Sequence, residues 1–329
     1  MTLLDGKGSM VLALLCVMLF ALAIPTEAQQ QKIYRIGVLI PGDLWYEITD
    51  GLKAGLRQLG FEEGKHFVLE IRNSKGDLKA AAQVATDLEL KKVDLLYTAA
   101  TSVTIPAKRA TAEIPIVFVA GADPVTLGLV ESFAKSGGRL TGVYSRVADL
   151  TPKRIEILQE TIPKLRRLGT FYDPHNPVPS QSAKFARETA RAMGLELVER
   201  HITTTQELHA LVRTLRVGEM DAFFSISDAI VNNNGQMIVD AARKIKLPTM
   251  WDFQGNVIKG GFASYSVSFH EMGRISAKYV QRILAGAKPT DMPVEGIDKT
   301  ELVFNLKTAK QIGLIIPPKV LARADKVIK

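Results

Sequence analysis

Thr101 and Ser102 stand at the start of an amphipathic segment, directly after Ala100. A helix start exposes N–H groups that have no partner inside the helix. With two hydroxyls beside them, such a start can hold a carboxylate or another anion. Asp228 follows a short apolar run broken only by serines. Its carboxylate can take a charge-assisted hydrogen bond from an ammonium group. The same residue types also cap helices, so Thr101, Ser102 and Asp228 each admit a structural role as well. Asp123-Pro124 and Asp173-Pro174 each close an apolar run. A residue before proline is extended or in a turn, which leaves both aspartates as turn formers or contacts. Trp45 and Trp251 are the only tryptophans. Either can serve as a plate against a flat or apolar solute, or as core; Tyr172 and Tyr144 admit the same two roles. Gly42, Asn176 and Asp252 share the short polar segments that hold these residues.

Those types and spacings suit reversible capture of a small molecule better than catalysis. The first strand offers Gly37 and Gly42 at the wrong spacing for G-x-G-x-x-G, and Walker A and G-x-S-x-G are absent from the sequence. Ser132 to Lys135 spells S-x-x-K without the Ser-Asp-Asn or Lys-Thr-Gly that accompany it in serine acyl-enzymes. His66, His175, His201, His209 and His270 lack metal-ligand spacing. No cofactor and no metal is expected. His175 lies in a loop of interest, so an enzyme on the same scaffold is the first competing reading.

The elements that must position these residues alternate. Tyr34–Ile40, Phe67–Arg72, Val93–Thr98, Ile114–Ala120 and Leu140–Ser145 read as strands, mostly continuous apolar runs. Such runs belong to parallel sheets covered by helices on both faces. Ile48, Leu52, Leu56 and Leu59 line one face of a helix that stops at Gly60, and Leu78, Ala81, Ala85 and Leu88 do so after Asp77, a candidate N-cap. In open α/β sheets ligands sit beyond the carboxyl ends of the strands. That rule selects Pro41–Trp45, Ala99–Ser102 and Gly121–Pro124 in the first half, and Asp173–Asn176, Ser225–Asp228 and Trp251–Gln254 in the second.

The second half repeats the first. Arg35-Ile36-Gly37 matches Arg167-Leu168-Gly169 at an offset of 132, Val93-Asp94-Leu95 matches Met220-Asp221-Ala222 at 127, and Ile114-Pro115-Ile116 matches Leu247-Pro248-Thr249 at 133. A near-constant offset in one order predicts two α/β lobes of the same topology. After Ser266 come a helix from His270 to Ala285 with Met272, Ile275, Tyr279 and Ile283 as its buried stripe, a strand at Leu302–Leu306, and terminal helices split by Pro317-Pro318. Crossings near Ser145, Ser266 and Ile297 are expected to form a hinge. The expected lobes are 32–145 with about 267–296, and 146–266 with about 297–329.

Met10 to Ile24 is an apolar run of 15 residues behind Lys7, and Thr26 and Ala28 fit a small-residue cleavage site. A signal peptide of residues 1–28 is expected, because the run falls short of the ~20 residues that span a bilayer. The only cysteine, Cys16, lies within it, so the mature chain has no thiol chemistry. The removed segment carries Lys7 against Asp5 and Glu27, so the net charge of +8 becomes +9. The basic residues are scattered (Lys91-Lys92, Arg166-Arg167), which reads as solvated helix faces and not as a nucleic-acid surface.

Several segments carry a resemblance: IGVLIPG, Gly60-Phe61 with Gly64-Lys65, IPIVFVAGADPVTLGLV, the TGVYS strand, Tyr172-Asp173-Pro174 with Asn176, and VFNLKTAKQIGLIIPP. Together they make the chain similar to the ABC-transporter substrate-binding family that includes tryptophan-binding and related aromatic amino-acid-binding proteins. The resemblance implies the type I periplasmic-binding-protein fold, no catalysis, a small-molecule solute and permease subunits of an importer as partners. Thr98-Ala99-Ala100-Thr101-Ser102 departs from it where many relatives carry a glycine before the threonine. Ser227-Asp228-Ala229 departs where many have Asp followed by Asn. A periplasmic monomer is expected. A sensor that presents a solute to a receptor kinase shares all these features, whereas a transcription regulator of this fold needs a DNA-binding motif where the signal stands.

Overall fold

A computed structural model of the protein describes residues 32–329. The expected signal of residues 1–28 lies outside the described residues. The chain runs β1 (Tyr34–Ile40), α1 (Tyr46–Gln58), β2 (Phe67–Asn73), α2 (Leu78–Leu90), β3 (Leu95–Thr98), α3 (Thr101–Ala110), β4 (Ile116–Ala120) and β5 (Leu140–Tyr144). It continues through α4 (Thr151–Thr161), β6 (Arg167–Tyr172), α5 (Pro177–Ala192), β7 (Glu196–His201), α6 (Thr205–Arg213), β8 (Ala222–Phe224), α7 (Ala229–Asn233), α8 (Gly235–Lys244), β9 (Thr249–Trp251), α9 (Gln254–Ile258) and β10 (Ala263–Val267). Last come α10 (Phe269–Leu284), β11 (Val294–Gly296), β12 (Thr300–Asn305), α11 (Leu306–Ile312), α12 (Pro318–Leu321) and β13 (Lys326–Ile328).

These strands form two sheets, ordered β11-β5-β4-β3-β1-β2 and β13-β12-β10-β9-β8-β6-β7. Every pair is parallel except β10 with β12. Helices pack on both sheets, giving the two-lobed α/β fold expected from the alternation. The chain passes between sheets after β5, after β10 and after β11. Arg154, fully buried on α4, ties two of these passages: its Nε donates to the Tyr265 carbonyl at 2.7 Å and its Nη2 to the Val147 carbonyl at 3.3 Å.

The internal repeat is visible in hydrogen bonds. Asp94 accepts the N–H of Arg35 at 2.7 Å, and Asp221 accepts that of Arg167 at 2.8 Å. Leu96 donates its N–H to Pro115, and Phe223 to Pro248, both at 2.9 Å. Each lobe therefore locks its first, third and fourth strands with the same residue types.

The buried face of α10 differs from the expected stripe. Met272 and Tyr279 are buried, but Ile275 and Ile283 are only partly so, and Gly273, Ser276, Ala277 and Val280 take the interior. Close helix packing explains the shift. A Cβ on Gly273 would lie 2.0 Å from the Ile48 carbonyl oxygen, and one on Gly51 would lie 2.0 Å from that of His270. Backbone meets backbone where α1 crosses α10, so small residues occupy the seam. The Ser276 hydroxyl also meets Tyr97 Oη there, at 2.7 Å.

An exposed helical Gly→Ala change stabilises by roughly 0.5–1 kcal/mol. Gly273→Ala is expected to act in the opposite sense and cost about 3 kcal/mol, because rigid backbone must move. Urea unfolding of the mature protein measures this.

Candidate functional site

The ends of β3 and β4 and the start of α10 face the starts of α5 and α7 across a cavity. Most of the wall is apolar: Trp45, Ile48, Val119, Val147, Val178, Phe269 and Met272. Trp45 and Phe269 lie 6.1 Å apart between ring centres, and Phe253 backs Phe269 at 4.5 Å. Polar groups gather at two places.

The first is the start of α3. Its N-cap is Ala100, in extended backbone, which supplies no side-chain cap. Neither Thr101 nor Ser102 caps the helix, so the first-turn N–H groups of both remain without a partner among the described residues. The Thr101 hydroxyl accepts the Gly121 N–H at 2.9 Å and so fixes the loop after β4 against the helix start. The Ser102 side chain lines the cavity and makes no hydrogen bond among the described residues. The far end of α3 is held by Arg139, which donates to the carbonyls of Lys108 and Thr111 at 2.7 Å. Glu89 takes the N–H groups of Ala112, Glu113 and Ile114 just beyond it. The helix axis is thereby pinned with its positive end at the cavity.

The second is Asp228, on the opposing wall. Its Oδ1 accepts Ile230 N–H at 2.8 Å and Val231 N–H at 3.1 Å, and its Oδ2 accepts Asp173 N–H at 3.0 Å. Asp228 therefore caps α7 and lines the cavity as well. It is only 2% exposed. Burial pushes its carboxyl up to about 6, against the pull of its three backbone hydrogen bonds. Asn176 stands beside it as the cap of α5, its Oδ1 accepting Val178 N–H at 3.2 Å.

Of the residues singled out in the sequence, the cavity gathers Trp45, Ala100, Thr101, Ser102, Asn176 and Asp228. Asp123 and Asp173 form turns, accepting the N–H of Val125 and of His175 respectively, each at 2.9 Å. Gly42 abuts Asn233 outside the cavity. Tyr172, Trp251 and Asp252 lie within the second lobe and not on the cavity wall. The Tyr172 hydroxyl donates to Glu199 at 2.7 Å. The Trp251 indole is fully buried against Phe223 and donates to Thr249 Oγ1 at 2.9 Å. Asp252 accepts from Ser225 Oγ at 2.7 Å and Asn232 Nδ2 at 3.1 Å. The alternation of strand faces is the reason: a strand's last residue aims into the core as readily as toward the ligand end. Sequence reasoning missed Phe269 at the site and gave Met272 only a core role. Their signal is Ser268 with Glu271, a helix-start pair in which Ser268 Oγ accepts the Glu271 N–H at 3.3 Å.

Two like α/β lobes facing one cavity at their strand ends define a periplasmic-binding-protein scaffold. The chain belongs to the ABC transporter substrate binding protein family, whose pattern spans residues 34–328. That family consists of solute-binding proteins and not of enzymes. The chain is 25% identical over 289 residues to the tyrosine-binding protein of Clostridioides difficile (strain R20291), covering 88% of this chain and 83% of that one. It resembles the ABC domain in complex with L-Trp from Streptococcus pneumonia, at a TM-score of 0.82 and 26% identity over 90% of this chain and 100% of that one. A conserved domain protein from Vibrio cholerae matches equally, at 0.82 and 26% with the same coverage.

The raised Asp228 carboxyl has a consequence for ligand-free stability. A group whose folded pKa lies above its unfolded value stabilises most below the unfolded value, and that stability is lost as pH rises through the folded one. Asp228 moves from 3.8 to about 6. Its share, of order 3 kcal/mol, is thus lost between about pH 4 and pH 6. Asp228→Asn is expected to flatten the melting-temperature profile across that interval, and an unchanged slope would exclude Asp228 as its source.

Proposed function

We propose that this protein is the extracytoplasmic solute-binding component of an ABC importer, and that it closes on an α-amino acid with an apolar, aromatic side chain. The observation that carries the reading is one cavity with an uncapped helix start on one wall, a buried carboxylate on the other, and apolar side chains between them. The first-turn N–H groups of Thr101 and Ser102, with the Ser102 hydroxyl, suit a carboxylate. Asp228, with the Asn176 side chain beside it, suits an ammonium. Trp45, Phe269 and Met272 suit a flat side chain. The tyrosine and L-tryptophan that the names of two of these relatives carry agree with that division.

The lobes in this reading are residues 32–145 with about 267–296 and residues 146–266 with about 297–329, rotating about the three passages between the sheets. Solute favours the closed form because only there do both lobes touch it. The closed form then presents its solute to the permease. Export through the signal at residues 1–28 places the monomer in the periplasm.

A thermal-shift screen of the mature chain against amino acids, purines and small organic acids tests the reading. An aromatic amino acid at a hundredfold excess over its Kd is expected to stabilise the protein by about 2.7 kcal/mol. A response to purines alone would refute the reading. By calorimetry, Asp228→Asn is expected to weaken binding about 10- to 100-fold, the range of hydrogen bonds to charged groups. Wild-type affinity should fall about tenfold per pH unit below about pH 6 as Asp228 takes up its proton. Binding that ignores both the substitution and the pH would remove Asp228 from the site.

A further inference from the structure

Contacts between the lobes also lie outside the cavity wall. Asn233, the last residue of α7, donates from Nδ2 to the Pro41 carbonyl in the opposite lobe at 3.0 Å. The next residue along that turn is Gly42. A Cβ there would lie 1.7 Å from Asn233 Oδ1 and 2.4 Å from its Cγ, closer than any real contact. The Gly42 backbone is extended, at φ 171° and ψ 174°, which any residue adopts. A side chain at position 42 would therefore meet the Asn233 side chain across the lobes, which must shift to admit it, and not the local chain. The turn is also stiff. Asn73 Nδ2 donates to Asp43 Oδ1 at 2.8 Å, while Asn73 Oδ1 accepts the Lys75 N–H at 2.8 Å. A second bond between the lobes runs from Gln254 Nε2 to Glu47 Oε1 at 3.1 Å. None of Gly42, Asn233, Glu47 and Gln254 lines the cavity.

We propose that Gly42 and Asn233 form a latch between the lobes that sets the population of the closed form, and so scales affinity for every solute alike without touching any of them. The proposal rests on the binding-by-closure reading above. The apparent Kd is the intrinsic Kd divided by the fraction of protein in the binding-competent form. A latch alters that fraction and leaves the ratio of affinities between two solutes fixed. A residue on the cavity wall alters the ratio.

Calorimetry with L-tryptophan, L-tyrosine and L-phenylalanine on four proteins tests this: wild type, Gly42→Ala, Asn233→Ala and the double variant. Gly42→Ala is expected to weaken each amino acid that binds at least tenfold, with their ratios unchanged. Asn233→Ala, which loses one hydrogen bond and keeps the room, should weaken each about three- to tenfold. The double variant should return to the Asn233→Ala level, because removing the Asn233 side chain clears space for the new Cβ. Three results would overturn the latch: Gly42→Ala binding like wild type, altered ratios, or a double variant no better than Gly42→Ala. If wild type binds none of the three, the functional reading fails separately. The latch is then read from small-angle scattering of the ligand-free proteins, where Gly42→Ala must hold less of the compact form than wild type, and equal profiles overturn it.

Discussion

A zwitterion leaves water at tolerable cost only where both of its charges are met at once. Across this cavity the two complementary groups belong to opposite lobes. The uncapped start of α3 offers positive partial charge, and Asp228 offers a carboxylate. In the proposed reading neither wall holds the solute alone, so binding and closure are one event. Burial disfavours the charge of the Asp228 carboxyl, against the pull of its three backbone hydrogen bonds. An ammonium placed against it would restore the ordinary carboxylate form.

The supporting structure serves to keep those two groups aimed. The same aspartate, at positions 94 and 221, locks the first strand of each lobe to its third. That lock brings the strand ends, and with them the loops, to one side of each sheet. Arg139 and Glu89 fix the remote end of α3, and Thr101 fixes its near end to the loop after β4. Arg154 is a fully buried cation that spans two chain passages on carbonyl oxygens alone, and burial lowers its pKa to about 10 while Asp252 pulls the other way. Two passages between the sheets are thus tied by hydrogen bonds to backbone, which hold geometry without filling the cleft.

Much of this was legible in the residues. The offset between Asp94 and Asp221 announced two lobes, and the strand-end rule named Thr101, Ser102, Asn176 and Asp228, which line the cavity. The rest was hidden for identifiable reasons. A fully buried strand reads as a continuous apolar run, so sequence does not say which face Tyr172 or Trp251 takes; both turned inward. Phe269 and Met272 reach the cavity because the chain passes back to the first lobe after β10, a long-range event with no local signature beyond Ser268 and Glu271. Gly51 and Gly273 interrupt apolar stripes in sequence, yet in space they are where two helices touch backbone to backbone.

The most direct test is a crystal structure of the mature chain with its tightest-binding amino acid. The account requires the solute inside the cavity, its carboxylate oxygens about 3 Å from the N–H groups of Thr101 and Ser102 and its ammonium on Asp228 at a similar distance. A solute held by one lobe alone, or inside the cavity with Asp228 left unpaired, would contradict it.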